Sequence, residues 1–167
     1  YYTFLGVLPQ RELFVSTANA LLKVGDKERA LKVLDRCQES MPENVWPLDA
    51  IPLGFSTNDY MVVNMVSAYF AAGAPDKAAE LGAKLGKELL ASAHFYMEYY
   101  EYAQDEFEKS CQFLYFLVDE LEKGGDKKVS PELKHSLVTL LRAGAEAYDQ
   151  DYGNEADSTV AEDTSAK

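Results

Sequence analysis

Histidine and cysteine are scarce in this chain, and their scarcity leaves little material for a metal centre or a nucleophilic site. The 167 residues include two cysteines and two histidines. Cys37 and Cys111 do not stand at a metal-ligand spacing, and His94 with Glu98 makes a pair without a third ligand nearby in the sequence. The chain also has no glycine-rich phosphate loop and no serine or cysteine beside a base. We therefore expect no catalytic residue, no metal site and no cofactor.

Both cysteines are expected to be buried thiols that pack as small apolar side chains. Cys37 lies on the apolar stripe of a predicted helix, and Cys111 lies in a dense aromatic stretch. A disulfide between them would need a Cα separation of roughly 4.4–6.8 Å, and the sequence leaves this open.

Long apolar runs are absent as well. No stretch approaches the roughly 18–20 apolar residues that a membrane-crossing helix needs, although hydrophobic residues make up 47% of the chain, enough for a packed core. The chain begins at Tyr1, and no basic segment precedes an apolar one. A signal peptide is therefore absent, or was removed together with whatever preceded Tyr1. We expect a piece of a longer protein that does not itself span a bilayer.

Basic residues are outnumbered: 16 Lys and Arg stand against 28 Asp and Glu, which gives a formal net charge of -12. This balance argues against a nucleic-acid partner, because phosphate binding needs clustered Lys and Arg. Residues 149–167 hold six acidic residues and one lysine, with few apolar side chains to bury. We predict a helical-repeat domain over residues 1–148 and a flexible acidic tail over residues 149–167.

The most informative pattern lies between residues 11 and 44. Apolar residues at three- and four-residue steps predict a first helix from near Pro9 to Val24. Gly25 then supplies a left-handed stop, and Asp26 caps a second helix that ends before Pro42. Two helices joined by this turn predict one helical hairpin of about 34 residues.

The same types of helix-ending and helix-starting residues recur further along the chain. A third apolar helix stops at Gly73, and Pro75 opens a fourth. We predict a break near Asp105, where Glu108 completes the spacing of a capping box. The fifth helix then ends at Gly124–Gly125, and a sixth starts at 130–131. Three helical pairs are about the number that an array needs to bury a continuous core.

A long connection, residues 43–57, separates the first two pairs. Loops of this length are uncommon in compact domains unless they are functional or packed down. This one contains Trp46, Leu53 and Phe55, so we expect it to pack against the domain.

The first unit resembles the tetratricopeptide repeat closely, the second moderately and the third weakly. This resemblance implies an all-α fold, a right-handed array of helical hairpins with about six helices in three antiparallel pairs. The residues of the first unit that match signature positions or close substitutes are Phe14, Ala18, Leu21, Gly25, Asp26, Ala30, Leu34, Cys37, Pro42 and Asn44.

A second resemblance is to the C-terminal soluble region of a bacterial family of multispanning membrane proteins that are similar to protein O-mannosyltransferases. It implies a noncatalytic interaction or scaffolding domain on the extracytoplasmic, periplasmic side of the inner membrane, with any glycosyl transfer in the membrane part. The partner would be a protein or peptide, including that membrane part. The alternative is a stand-alone, cytoplasmic adaptor that binds a peptide or glycan in a concave groove. The resemblance rests on 30–37, 41–42, 47–49, 51–53, Tyr69, 72–73, 77–78 and the aromatic stretch 96–102.

In tetratricopeptide arrays the first helix of each pair lines the concave groove. Asn19 and Asn64 stand where chaperone-binding members hold a terminal carboxylate, but Val15 replaces the lysine expected one turn earlier. The electrostatic half of such a clamp is missing, so capping or packing roles are favoured for the two asparagines. The residues that the register assigns to a groove for a ligand or partner are Val15, Asn19, Tyr60, Asn64, Ser67 and Phe70.

An aromatic group occupies residues 95–116. Its members point around most of a helix, which favours core packing with tyrosine hydroxyls at the rim. A partner surface is the alternative. The members are Phe95, Tyr96, Tyr99, Tyr100, Tyr102, Phe107, Phe113, Tyr115 and Phe116.

Overall fold

The chain is all-helical in the parts that the structure describes. A computed structural model describes the backbone of residues 2–48 and 58–162, and the side chains of residues 9–48 and 60–148. It contains six helices and no strand within those ranges, which confirms the all-α prediction. The helices are α1 Tyr2–Lys23, α2 Lys27–Ser40, α3 Asn58–Ala72, α4 Pro75–Glu98, α5 Tyr100–Lys123 and α6 Val129–Glu162.

The helices pack in chain order around one continuous core. Each contacts its successor, and α1 also contacts α3, α3 contacts α5 and α4 contacts α6. The odd-numbered helices thus lie side by side in the order α1, α3, α5. The largest fully buried side chains of the core include Leu34, Tyr69, Leu81, Leu85, Leu89, Leu114, Leu117 and Leu121.

Three of the connections have the same backbone geometry. Gly25, Gly73 and Gly125 have φ values of 82°, 85° and 82°, a left-handed conformation that a residue with a Cβ adopts only at a cost. In each turn the glycine N–H donates to the carbonyl three residues earlier at 3.0 Å, and the next N–H donates to the carbonyl five residues earlier at 2.9 Å. This pair of bonds is the Schellman motif, which satisfies the last carbonyls of the preceding helix. The predicted glycine stops are therefore confirmed.

Two helix starts are fixed by aspartate side chains. Asp26 accepts a hydrogen bond from the Arg29 N–H at 3.0 Å, as predicted for the cap of α2. The sixth helix begins at Val129, and its capping group is Asp126, whose carboxylate accepts from the N–H groups of Val129 at 2.8 Å and Ser130 at 2.7 Å. Sequence reasoning placed this start at 130–131 and missed the aspartate.

Two predicted boundaries are wrong. We placed Pro9 at the start of the first helix, but α1 begins at Tyr2 and Pro9 lies inside it. A proline removes one hydrogen bond from a helix interior without always ending the helix. The break expected near Asp105 comes earlier, at Tyr99, with a second non-helical residue at Ala103. Two hydrogen bonds between backbone groups close this short turn. A capping box is a pattern of side chains, so its spacing did not indicate these bonds.

The long connection packs down where the structure describes it. Leu48 is buried, and its N–H donates to Glu88 Oε2 at 2.8 Å on α4. Glu43 forms a salt bridge with Lys84, 3.0 Å between Oε1 and Nζ. The rest of the connection, residues 49–57, lies outside the described residues.

The predicted boundary between domain and tail falls inside α6. The backbone stays helical to Glu162, and side chains are described only as far as Tyr148. The flexibility of residues 149–167 stays a prediction.

Candidate interaction surfaces

The residues assigned to a groove lie on two neighbouring helices, α1 and α3, but they are not equally available to a ligand. Tyr60 is 49% exposed and Asn19 is exposed, while Asn64 and Ser67 are half-buried. Val15 is only 3% exposed and belongs to the core. The tetratricopeptide register assigned Val15 to the groove from its position along the helix. That assignment takes no account of how α1 packs against the other helices.

Phe70 has a packing role that the sequence did not indicate. It is half-buried against the core, and its ring fills the space beside Gly124 at the end of α5, where a Cβ would collide with it. Phe70 therefore joins α3 to α5. Its assignment to a ligand groove stays a prediction, and its substitution would also disturb the fold.

The two asparagines have no capping role. Asn19 lies inside α1 and Asn64 inside α3, away from the helix ends. Neither side chain forms a hydrogen bond within the part of the chain that the structure describes. Of the capping or packing roles favoured from the sequence, capping is therefore wrong. Packing agrees with the half-buried position of Asn64, whereas Asn19 is exposed.

A polar network joins α2, α3 and α4. The hydroxyl of Tyr69 accepts from Gln38 Nε2 at 2.6 Å and donates to Asp35 Oδ1 at 3.2 Å. Lys77 Nζ donates to the same Asp35 carboxylate at 2.7 Å. Burial, the largest effect, raises the pKa of Tyr69 well above its usual range. The phenol stays neutral and bonds α3 to α2, and the bond from Lys77 to Asp35 adds α4.

A cavity of about 370 Å³ lies between α1 to α4 and the start of the long connection. Its wall includes the side chain of Arg11, which is only 3% exposed. Cys37 lines it too, and its Sγ lies 4.0 Å from Met65 Sδ. Nothing in the sequence singled out Arg11, because a charged residue near a helix start is ordinarily on the surface.

Both thiols are free and buried, as expected. Burial raises the pKa of Cys37 to about 11, despite the nearby Arg11 charge, which acts in the opposite direction. Burial also raises the pKa of Cys111 to about 11, and the Glu108 carboxylate adds to the shift. Both are therefore poor nucleophiles at neutral pH.

The aromatic group divides into buried, partly buried and exposed members. Core packing is confirmed for the buried members, and a partner surface for the exposed members stays a prediction. Tyr100, Phe107 and Phe113 are buried in the core, and the rings of Tyr100 and Phe107 meet edge to face at 5.5 Å. Tyr96 and Phe116 pack partly against the core. The exposed members are Phe95, Tyr99, Tyr102 and Tyr115.

The exposed rings concentrate where α4 meets α5. Tyr99 (φ -120°, ψ 33°) and Ala103 (φ -132°, ψ 29°) leave the helical conformation on either side of a single turn. This double break directs Tyr100 inward and leaves Tyr99 and Tyr102 outside. The Phe95 ring lies 5.1 Å from the Tyr99 ring, centroid to centroid. We name these three exposed rings, with Glu98, Glu101 and Asp105 between and after them in the sequence, the junction surface.

A groove of about 790 Å³ begins beside the junction surface, at Asp105. Its apolar lining comes from α5 and α6 and includes Phe107, Phe116 and Leu141. Asp105, Glu108 and Lys109 also line it.

Metal and membrane features can be stated for the described residues alone. Among them, no group of three or more His, Cys, Asp or Glu side chains could hold a metal ion. None of their helices combines the length and the apolar character required to cross a membrane.

The broad class of the protein is therefore an all-helical domain with exposed aromatic and acidic side chains. Comparison with known proteins adds no relative: no protein-family model, no curated protein and no solved structure matches the chain significantly.

Proposed function

We propose that this chain is a tetratricopeptide-like repeat domain that binds a protein or peptide and performs no catalysis. The observation that carries the proposal is the threefold recurrence of one turn, at Gly25, Gly73 and Gly125. These turns share their φ values within a few degrees and both hydrogen bonds within about 0.1 Å. Equivalent turns between successive helices are what a repeat array of helical pairs requires.

The packing order supports a binding face. Helices α1, α3 and α5 lie side by side, so a right-handed array would present them along its concave side. In such an array the side chains of Asn19 and Tyr60, both exposed, would stand on this face and supply an amide and an aromatic ring. Rigid aromatic side chains are frequent anchors in protein interfaces.

The proposal extends to a context: the domain would be the C-terminal, extracytoplasmic part of a bacterial membrane protein similar to protein O-mannosyltransferases. The segments that support it are 30–37, 41–42 and 47–49. Reading the coding sequence upstream of the Tyr1 codon tests this context directly. Membrane-spanning segments there would support it, and a start codon directly upstream would remove it.

The absence of catalysis is part of the proposal and has its own support. Both thiols are buried with a pKa of about 11, which leaves a negligible thiolate fraction at neutral pH. Both histidines, His94 and His135, are exposed, and no hydrogen bond among the described residues orients either ring.

Photo-crosslinking in cells tests the binding face. A photoreactive amino acid is placed at Tyr60 on α3, with the matched control at Lys32 on α2, whose side chain is 71% exposed. We expect one discrete crosslinked species from position 60 and none from position 32. Equal products from both positions, or none from position 60, would contradict a partner on this face.

A further inference from the structure

The aromatic side chains of the junction surface are more exposed than is usual for a surface that contacts only solvent. Phe95, Tyr99 and Tyr102 are 56%, 53% and 83% exposed, and two of the rings touch. Single exposed apolar residues are ordinary, whereas contiguous ones mark an interaction site. The double break in the helix keeps these rings outside the core instead of completing an inward stripe.

The charged residues next to these rings along the chain are all acidic, and the nearest cation in the sequence after them, Lys109, lies in the lining of the adjoining groove. Between Lys87 and Lys109 the sequence contains six carboxylates and no lysine or arginine. Glu98, Glu101 and Asp105 take part in none of the salt bridges found among the described residues. Elsewhere the chain does pair its carboxylates, as in Asp35 with Lys77 and Glu122 with Lys134.

The negative charge of the junction surface decides which kind of partner can bind there. A second copy of a chain with a net charge of -12, an anionic lipid surface and a nucleic acid would all be repelled. The acidic tail of the same chain, residues 149–167, carries the same sign. A cationic segment is the occupant whose charge complements these carboxylates.

We propose that the junction surface, together with the adjoining groove between α5 and α6, binds an arginine-rich, partly apolar segment of a partner protein. The guanidinium groups lie on the faces of Tyr99 and Tyr102 and pair with the carboxylates of Glu101 and Asp105. An apolar side chain of the same segment enters the groove beyond Asp105, over Phe116 and Leu141. Arginine is favoured over lysine because its planar group stacks on a ring and forms paired hydrogen bonds to carboxylates.

This surface is separate from the proposed face on α1 and α3, so either proposal can fail without the other. Its test uses a fluorescein-labelled peptide of alternating arginine and leucine, together with versions that carry lysine or glutamate in place of arginine. Fluorescence anisotropy with the full chain gives the affinities. We expect micromolar binding of the arginine peptide, weaker binding of the lysine peptide and none of the glutamate peptide.

Variants locate the binding, because any acidic protein attracts a basic peptide to some degree. Tyr99→Ser with Tyr102→Ser should weaken binding roughly tenfold. Glu101→Gln with Asp105→Asn should weaken it roughly five- to tenfold at low salt, and less at about 0.3 M salt. All four side chains are exposed, and circular dichroism confirms that each variant folds.

The control removes the same charge elsewhere: Glu28→Gln with Glu39→Gln, on α2. It should leave the affinity within about twofold, as expected for charges beyond the screening length. Equal weakening by the control and by Glu101→Gln with Asp105→Asn would show nonspecific attraction and overturn the proposal. Undetectable binding to the unmodified chain, or unchanged binding in the Tyr99→Ser, Tyr102→Ser variant, would overturn it as well.

Discussion

Individual side chains join the helices, and Phe70 with Gly124 is the clearest pair. Gly124 has an ordinary helical conformation, with φ of -72°, so its backbone would accept alanine. What requires glycine there is the Phe70 ring, which occupies the position of a Cβ. Gly125, the next residue, requires glycine for the opposite reason. A Cβ there would have open space around it, but the backbone has a φ of 82°.

Gly124→Ala should lower the free energy of unfolding by about 1–3 kcal/mol, as overpacking against a rigid ring does. Gly125→Ala should cost about 1–2 kcal/mol through its left-handed backbone alone. Chemical denaturation measures both. Phe70→Leu should partly rescue Gly124→Ala and leave the cost of Gly125→Ala unchanged. Equal rescue of the two would contradict a direct contact between Phe70 and Gly124.

Thiol labelling tests the burial of both cysteines. Because burial raises the pKa of Cys37 and Cys111 to about 11, the folded chain should react slowly with a thiol reagent at neutral pH. Two equivalents should react at once in denaturant. Rapid reaction of the folded chain would contradict the burial, and a missing equivalent in denaturant would contradict the free thiols.

At the scale of the element, turn chemistry decides where helices begin and end. Gly25, Asp26, Gly73 and Pro75 act through neighbours within a few residues, so the sequence predicted their roles correctly. The break at Tyr99 was missed because backbone hydrogen bonds close it and no side chain caps the start of α5, so no residue type marks it in the sequence. Val15 was misplaced because its exposure depends on how α1 packs against other helices.

The cap at Asp126 gives α6 a dependence on pH. Burial would raise the pKa of Asp126, but backbone hydrogen bonds from Ser130, Lys128 and Val129 outweigh it and hold the pKa below the usual value. A depressed folded-state pKa means that the ionised cap stabilises the protein above the unfolded value of 3.8 and loses this effect as pH falls through the folded-state pKa.

Asp126→Ala should therefore cost about 1 kcal/mol of unfolding free energy at pH 7, because two capped N–H groups lose their acceptor. The cost should start to shrink as pH falls below the unfolded value of 3.8, and it should vanish as pH falls through the lower folded-state pKa, where the wild-type cap becomes protonated. Denaturation at a series of pH values measures this. Asn19→Ala, which removes an exposed side chain that does not titrate, is the control and should show no such trend. A cost independent of pH would contradict the role of the ionised carboxylate.

At the scale of the molecule, the two proposed binding faces differ in their chemistry. The face on α1 and α3 offers amide and aromatic groups, whereas the junction surface combines exposed rings with unpaired carboxylates. The sequence indicated both regions but could not separate buried from exposed aromatic residues, since that depends on the double break at Tyr99 and Ala103. The sequence alone did not indicate a partner for the junction surface, because which of its rings are exposed becomes evident only in the fold.

The central claim, that the domain binds a partner through the face on α1 and α3, is tested most directly by the affinity for the species crosslinked at position 60. Tyr60→Ala should weaken that binding by at least about fivefold, the loss typical of an aromatic anchor. Lys32→Ala, on α2, should leave it within about twofold. Equal affinities for the wild type and Tyr60→Ala would contradict the claim.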